Sequence, residues 1–132
     1  MVILYNTDNI NGLLFLILAK GIKQGLRFDV FFATSAECQD FSRAFWNSSN
    51  AQPHGLFEDK FYEMQPILVL TQEQYERETM QKDCAIFVEC NNTVPLDAWQ
   101  KVCFVNVSDS ILTAHKEYQK WEYKNGVWKE DK

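Results

Sequence analysis

The sequence predicts an α/β fold, a three-layer α/β/α sandwich around a mostly parallel sheet with Rossmann-like topology. Segments with strand and helix patterns alternate along the chain, as expected of a parallel sheet covered by helices. The strand-like segments are continuously apolar, which is typical of strands buried on both faces. The chain has 132 residues, of which 46% are hydrophobic. This length and composition predict one globular domain over residues 1–132.

The first strand and helix are indicated by a short apolar run and the signals after it. Residues 2–5 form the run, and Asp8 or Asn9 is placed to cap a helix. We expect that helix to end near Gln24, because Gly25 fits the left-handed position that follows many helices.

The second strand and helix precede a long connection. Residues 27–33 are mostly apolar and predict a strand. Thr34 or Ser35 is expected to cap a helix that reaches about Trp46. Residues 47–65 then connect this helix to the next strand, and a connection of this length in a compact domain is usually functional.

The second half of the chain repeats the alternation. Apolar runs predict strands at residues 67–70, 83–89 and 101–107. The helical segments expected between and after them are a polar helix at 72–81, a single turn at 95–100 and a last helix from Ser108 to about Tyr123.

Charge and cysteine content exclude several classes of function. The net charge is -5, and nucleic-acid binding depends on clustered Lys and Arg, so direct nucleic-acid binding is not expected. The apolar run at residues 13–19 is far shorter than the roughly 20 residues of a membrane span. Met1 leads directly into a strand and the cysteines form no C-x-x-C pair, which predicts a cytoplasmic protein without disulfides or a metal site.

The residues offer little catalytic chemistry. The loop after the first strand has one glycine, Gly12, where a phosphate loop needs several, and Asp8 would repel a phosphate. His54 lies in a turn between Pro53 and Gly55, where a structural hydrogen bond is a better interpretation than a general base. We therefore expect no catalytic residue and no cofactor. A small α/β nucleotide-binding protein or enzyme remains the alternative.

Short motifs in a fixed order carry a family resemblance. They are Leu4-Tyr5, Gly25 with Arg27, Phe45-Trp46, Pro53-His54-Gly55, Gln65-Pro66-Ile67-Leu68 and Gly126-Val127-Trp128-Lys129. In this order and spacing the chain resembles the chi subunit of bacterial DNA polymerase III, over nearly its full length.

The resemblance implies a non-catalytic accessory subunit of the replicase. Members of this family link the clamp loader to single-strand DNA-binding protein by binding the acidic, apolar C-terminal tail of that protein, and another face holds the psi subunit. The family fold resembles a nucleotide-binding sandwich that has no nucleotide site. An interaction module outside replication is a further alternative.

The tail site is expected on the last helix. The family carries an Arg there, followed three and four residues later by an aromatic residue and a Lys; the matching residues are His115, Tyr118 and Gln119. Lys116 or Lys120, on one helical stripe that can extend to Lys124, is expected to replace the Lys that the family has at Gln119. The alternative is a solvated helix face, with Tyr118 and Trp121 in the core.

The psi face is expected around Trp46, Pro53 and His54. The family usually has an aromatic residue or Leu before Pro-His, and this chain has Ala51-Gln52. Loss of an aromatic anchor from an interface predicts weaker psi binding or none. The alternative is that Trp46 closes its helix onto the core.

Overall fold

A computed structural model describes residues 2–48, 54–56, 65–74, 82–90, 99–107 and 119–130. The described residues form an α/β fold, as predicted. The elements are β1 (Val2–Thr7), α1 (Ile10–Lys23), β2 (Phe28–Phe32), α2 (Ser35–Trp46), β3 (Gly55–Leu56), β4 (Ile67–Thr71), a 3-10 helix (Gln72–Gln74), β5 (Cys84–Val88), β6 (Lys101–Val105), β7 (Gln119–Lys124) and β8 (Val127–Glu130).

The strands form one eight-stranded sheet in the order β3-β4-β2-β5-β6-β1-β7-β8. Every pair is parallel except β7 and β8, which form an antiparallel hairpin. The mostly parallel sheet is thus confirmed. Because β1 lies between β6 and β7, the first strand of the chain has the last hairpin as its neighbour on one side.

Both α-helices cover the same face of the sheet. We call it the helix face; it includes Ile3, Val30, Ile67 and Cys103, which pack with buried residues of α1 and α2 such as Leu14. The opposite face is also buried, and its core is largely aromatic: Phe31, Phe87, Phe104 and Trp99. Parts of the helices predicted at 72–81, 95–100 and 108–123 lie outside the described residues, namely 75–81, 95–98 and 108–118.

Capping residues explain where the two helices begin and end. The side chain of Asn9 accepts a hydrogen bond from the amide of Gly12 at 3.0 Å, and Thr34 does the same for Glu37 at 3.2 Å. Gly25 follows α1 with φ of +80°, as predicted for a left-handed C-terminal residue. No helix in the described part of the chain is long and apolar enough to cross a membrane.

The prediction of a last helix reaching Tyr123 is wrong, because residues 119–123 belong to strand β7. Trp121 and Tyr123 alternate with Lys120, Glu122 and Lys124, which is the period of a strand with one face packed. The strand pairs with β1, Tyr5 lying opposite Trp121.

Smaller differences occur at other element ends. Of the helix predicted at 72–81, residues Gln72–Gln74 form a 3-10 helix and the rest lies outside the described residues. Trp99 and Gln100, placed in a helical turn by the sequence, are not helical. Strand β3 lies within the segment interpreted as a connection, and at two residues it is too short to leave a sequence signal.

Candidate functional site

The carboxyl ends of the central strands form an acidic cleft between the starts of α1 and α2. Ligands of open parallel sheets usually bind at this edge. The cleft has a volume of about 490 Å³. Its charged lining residues in the described part of the chain are Asp8, Glu37, Asp40 and Glu89.

The acidic cleft is a poor site for a phosphate. Four carboxylates face a ligand that would itself be negative, and the amides nearest the helix starts are already bonded to Asn9 and Thr34. The described residues contain no group of His, Cys, Asp or Glu arranged to hold a metal ion.

Asn106 fixes one wall of the acidic cleft. It adopts φ of +54° at the end of β6, and its side-chain amide pairs with the backbone of Thr7 in both directions. The amide of Thr7 donates to Asn106 Oδ1 at 2.9 Å, and Asn106 Nδ2 donates to the carbonyl of Thr7 at 3.0 Å. The side chain therefore extends the parallel ladder between β1 and β6 and holds the loop that begins at Asp8.

Trp46 lies on the surface at the β3 end of the sheet. Its side chain is 56% exposed, whereas His54 is only 5% exposed and stacks against it, with ring centroids 4.4 Å apart. The Nε2 atom of His54 lies 2.9 Å from the hydroxyl of Ser42, in a buried hydrogen bond. The hydrogen bond predicted for the His54 ring is present, although this partner is a hydroxyl rather than a carbonyl. Trp46 does not close α2 onto the core, and Pro53 lies outside the described residues.

The β7–β8 hairpin carries an aromatic cluster on the helix face. Trp128 contacts Tyr5, Tyr123 and Trp121, with ring centroids 5.7, 4.8 and 6.4 Å apart. Trp128 remains 41% exposed. Trp128 belongs to the sequence motif Gly126-Val127-Trp128-Lys129. The position of Trp128 beside α1, however, depends on the pairing of β7 with β1.

An open groove separates this aromatic cluster from α1, and we call it the hairpin groove. It has a volume of about 610 Å³. Its described lining residues are Tyr5, Leu16, Ile17, Lys20, Gly21, Gln24, Leu26, Phe28, Cys84, Lys101, Cys103, Trp121 and Trp128. The set is apolar and aromatic with two lysines, and it contains no carboxylate.

Gly21 allows α1 to approach the sheet at the bottom of the hairpin groove. A Cβ atom at this position would overlap the ring of Phe28, the first residue of β2. The carboxyl end of α1 therefore lies at the amino-terminal edge of the sheet, where Lys101 begins β6. This places Lys20, in the last turn of α1, at the same edge as Lys101.

The tail-site residues predicted on the last helix are only partly described. Gln119 and Lys120 lie on β7, and His115, Lys116 and Tyr118 lie outside the described residues. Lys120 and Lys124 alternate with Trp121 along β7, so they point to the face of the sheet opposite the hairpin groove. The predicted helical stripe through Lys120 and Lys124 is therefore wrong.

Burial makes cysteine thiols of the described core less acidic. Burial raises the pKa of the Cys90 thiol to about 11 and that of Cys103 to about 12, so both remain protonated at neutral pH. The cysteines are free and buried. Asp29 is fully buried, and its Oδ2 accepts a hydrogen bond from the indole of Trp99 at 2.9 Å.

The chain was compared with families and proteins of known function. No protein-family model matches it, and no curated protein shows significant similarity to it.

Proposed function

We propose that this protein is a non-catalytic, chi-like accessory subunit of bacterial DNA polymerase III. In this role it links the clamp loader to single-strand DNA-binding protein by binding the acidic C-terminal tail of that protein. The partners come from the sequence resemblance, and the protein is proposed to act in the cytoplasm without a cofactor.

The observation that carries the proposal is the presence of two aromatic surfaces at opposite ends of one sheet. Trp46 is exposed beside β3, and Trp128 is exposed on β8. Exposed tryptophans are common anchors of protein interfaces. Two such surfaces far apart along the strand order suit a protein that connects two partners.

The acidic cleft supports a binding function over the alternative of a nucleotide-binding protein or enzyme. Its carboxylates would repel the phosphates of a nucleotide, and burial raises the pKa of the Cys90 and Cys103 thiols to about 11 and about 12, which makes these two thiols poor nucleophiles at neutral pH. The surface around Trp46 is the proposed position of the second partner, psi or another clamp-loader component. The absence of an aromatic residue at Ala51 predicts that psi binds weakly.

Binding to single-strand DNA-binding protein tests the proposal directly. Calorimetry with the intact partner is expected to give a stoichiometric complex, and the partner truncated by its C-terminal tail should not bind. Single-stranded DNA should bind only when the intact partner is present. Turnover of a nucleotide, or equal binding to the intact and the truncated partner, would contradict the proposal.

A further inference from the structure

We infer that the hairpin groove is the docking site for an acidic peptide segment that ends in a bulky apolar side chain. This inference deepens the proposed function, on which the identity of the partner rests. It assigns the tail to the helix face of the sheet rather than to the residues around Lys120.

The apolar part of the groove suits a large side chain. Leu16 is 41% exposed on one wall, and Trp128 is equally exposed on the other. Tyr5 and Cys103, both buried, form the floor between them. An apolar residue inserted here would cover surface that α1 and the hairpin leave open, and burial of that surface favours binding.

The charged part of the groove suits carboxylates. Lys20 and Lys101 line the amino-terminal edge of the groove, and the described lining contains no acidic residue to neutralise them. The ion pair found among the described residues, Arg43 with Asp40, lies on α2 and involves neither lysine. In a protein of net charge -5, two lysines beside an apolar surface without a carboxylate favour an anionic occupant.

The surrounding charges reinforce this preference. The described cations at the amino-terminal edge of the sheet and the adjoining end of α1 are Lys20, Lys23, Arg27, Lys82 and Lys101. They outnumber the described carboxylates of this edge, which are the buried Asp29 and Asp83, whose Oδ2 accepts a hydrogen bond from the amide of Arg27. The acidic cleft lies at the opposite edge of the sheet. An acidic peptide is therefore attracted to the end of the molecule where the hairpin groove is located, and a basic peptide is attracted to the other end.

The arrangement also indicates how the peptide lies. Its apolar side chain fits between Leu16 and Trp128, near the middle of the strands. Its carboxylates reach Lys20 and Lys101 at the strand starts. Both requirements are met by one short segment, and neither requires a residue of the opposite face.

Charge reversal in the groove tests the site. The probe is a fluorescein-labelled, Asp-rich peptide that ends in Phe with a free carboxylate, and anisotropy is measured at low salt. Lys20→Glu and Lys101→Glu are each expected to weaken binding by about threefold, and the double variant by about tenfold or more, because each change replaces attraction with repulsion. Lys23→Glu is the comparison variant: it reverses a cation in the same turn of α1 that does not line the groove, so it is expected to weaken binding less than either groove variant, through long-range charge alone.

A second variant tests the apolar contact. Trp128→Ala should weaken binding of the peptide at least as much as the double charge reversal does. Circular dichroism will establish that the variant is folded. A peptide that ends in Gly instead of Phe should bind the wild-type protein as weakly as the Phe peptide binds Trp128→Ala. The affinity of the Gly peptide should not change when Trp128 is replaced by Ala.

The outcomes separate this inference from the proposed function. If the wild-type protein binds intact single-strand DNA-binding protein through its tail but the double charge reversal binds as tightly, the groove is not the site and the proposed function stands. Loss of binding on Lys120→Glu alone would assign the site to the other face and overturn the inference. If the peptide binds in a manner that depends on Lys20 and Lys101 but the partner protein does not bind, the groove stands and the proposed partner fails. Absence of peptide binding to the wild-type protein would overturn the inference.

Discussion

At the scale of single residues, Asp29 makes the stability of the protein depend on pH. Burial raises the pKa of its carboxyl from 3.8 to about 7, although the hydrogen bond from Trp99 and the charge of Lys82 act in the opposite direction. The other oxygen, Oδ1, has no hydrogen-bond partner among the described residues. The folded protein therefore holds a proton between about pH 4 and 7 that the unfolded chain has already released.

The sign of the pH dependence follows from this proton. Because the folded state binds more protons in this range, the Asp29 contribution to the free energy of unfolding is full below about pH 4 and decreases as the pH rises to 7. We expect Asp29→Asn, which cannot ionise, to flatten this decrease and to be more stable than wild type at pH 8 by roughly 2 kcal/mol. Urea denaturation of both proteins between pH 4 and 8 measures this difference in the free energy of unfolding and its dependence on pH. Equal pH profiles would show that Asp29 is charged in the folded protein.

At the scale of elements, the hairpin illustrates what the sequence could and could not predict. The boundaries of α1 and α2 were predicted closely because capping residues and Gly25 are local signals. The hairpin had a local signal too, since Asn125-Gly126 joins two short runs and is a preferred type I′ turn. The predicted helix, which ends at Tyr123, stops just before this turn, and both turn residues have positive φ, 54° and 75°.

The position of the hairpin could not be predicted from any local pattern. The pairing of β7 with β1 joins residues more than a hundred positions apart in the chain, such as Tyr5 and Trp121. The hairpin groove arises from this pairing and from the approach of α1 at Gly21. For this reason the predicted tail site uses lysines near the end of the chain, whereas the groove that we propose for the tail has Lys20 and Lys101, which the fold brings beside Trp128.

The turn of the hairpin gives a prediction at the same scale. Gly126→Ala forces an L-residue to adopt φ of +75°, which costs about 1 kcal/mol or more. We expect a lower melting temperature, and weaker docking in the groove because Trp128 lies two residues farther on. Asn125→Gly is the matched control and should retain both properties, since glycine adopts positive φ without strain. Unchanged stability in Gly126→Ala would mean that the turn relaxes to another type.

At the scale of the whole molecule, charge is segregated along the strand direction. Asp8, Glu37, Asp40 and Glu89 lie at the carboxyl edge. Lys20 and Lys101 lie at the amino edge, where Asp83 is a described carboxylate that partly opposes them. The net charge of -5 opposes the approach of an acidic tail, whereas this segregation orients the tail toward the hairpin groove. The balance of these two effects determines how fast the tail associates. It does not determine which contacts the final complex makes.

Association kinetics therefore test the charge segregation. We expect Glu37→Gln combined with Asp40→Asn to accelerate association of the Asp-rich peptide by about twofold at low salt, because repulsion decreases while the groove is unchanged. The dissociation rate should stay constant. Raising the ionic strength from about 0.05 to about 0.5 M should lower the association rate of the peptide with the wild-type protein. It should also abolish the difference in association rate between wild type and variant, since the screening length falls well below the size of the domain. Stopped-flow anisotropy measures both rates. A variant that changes dissociation instead would show that the acidic cleft contacts the bound peptide, which would place the peptide across the carboxyl edge of the sheet.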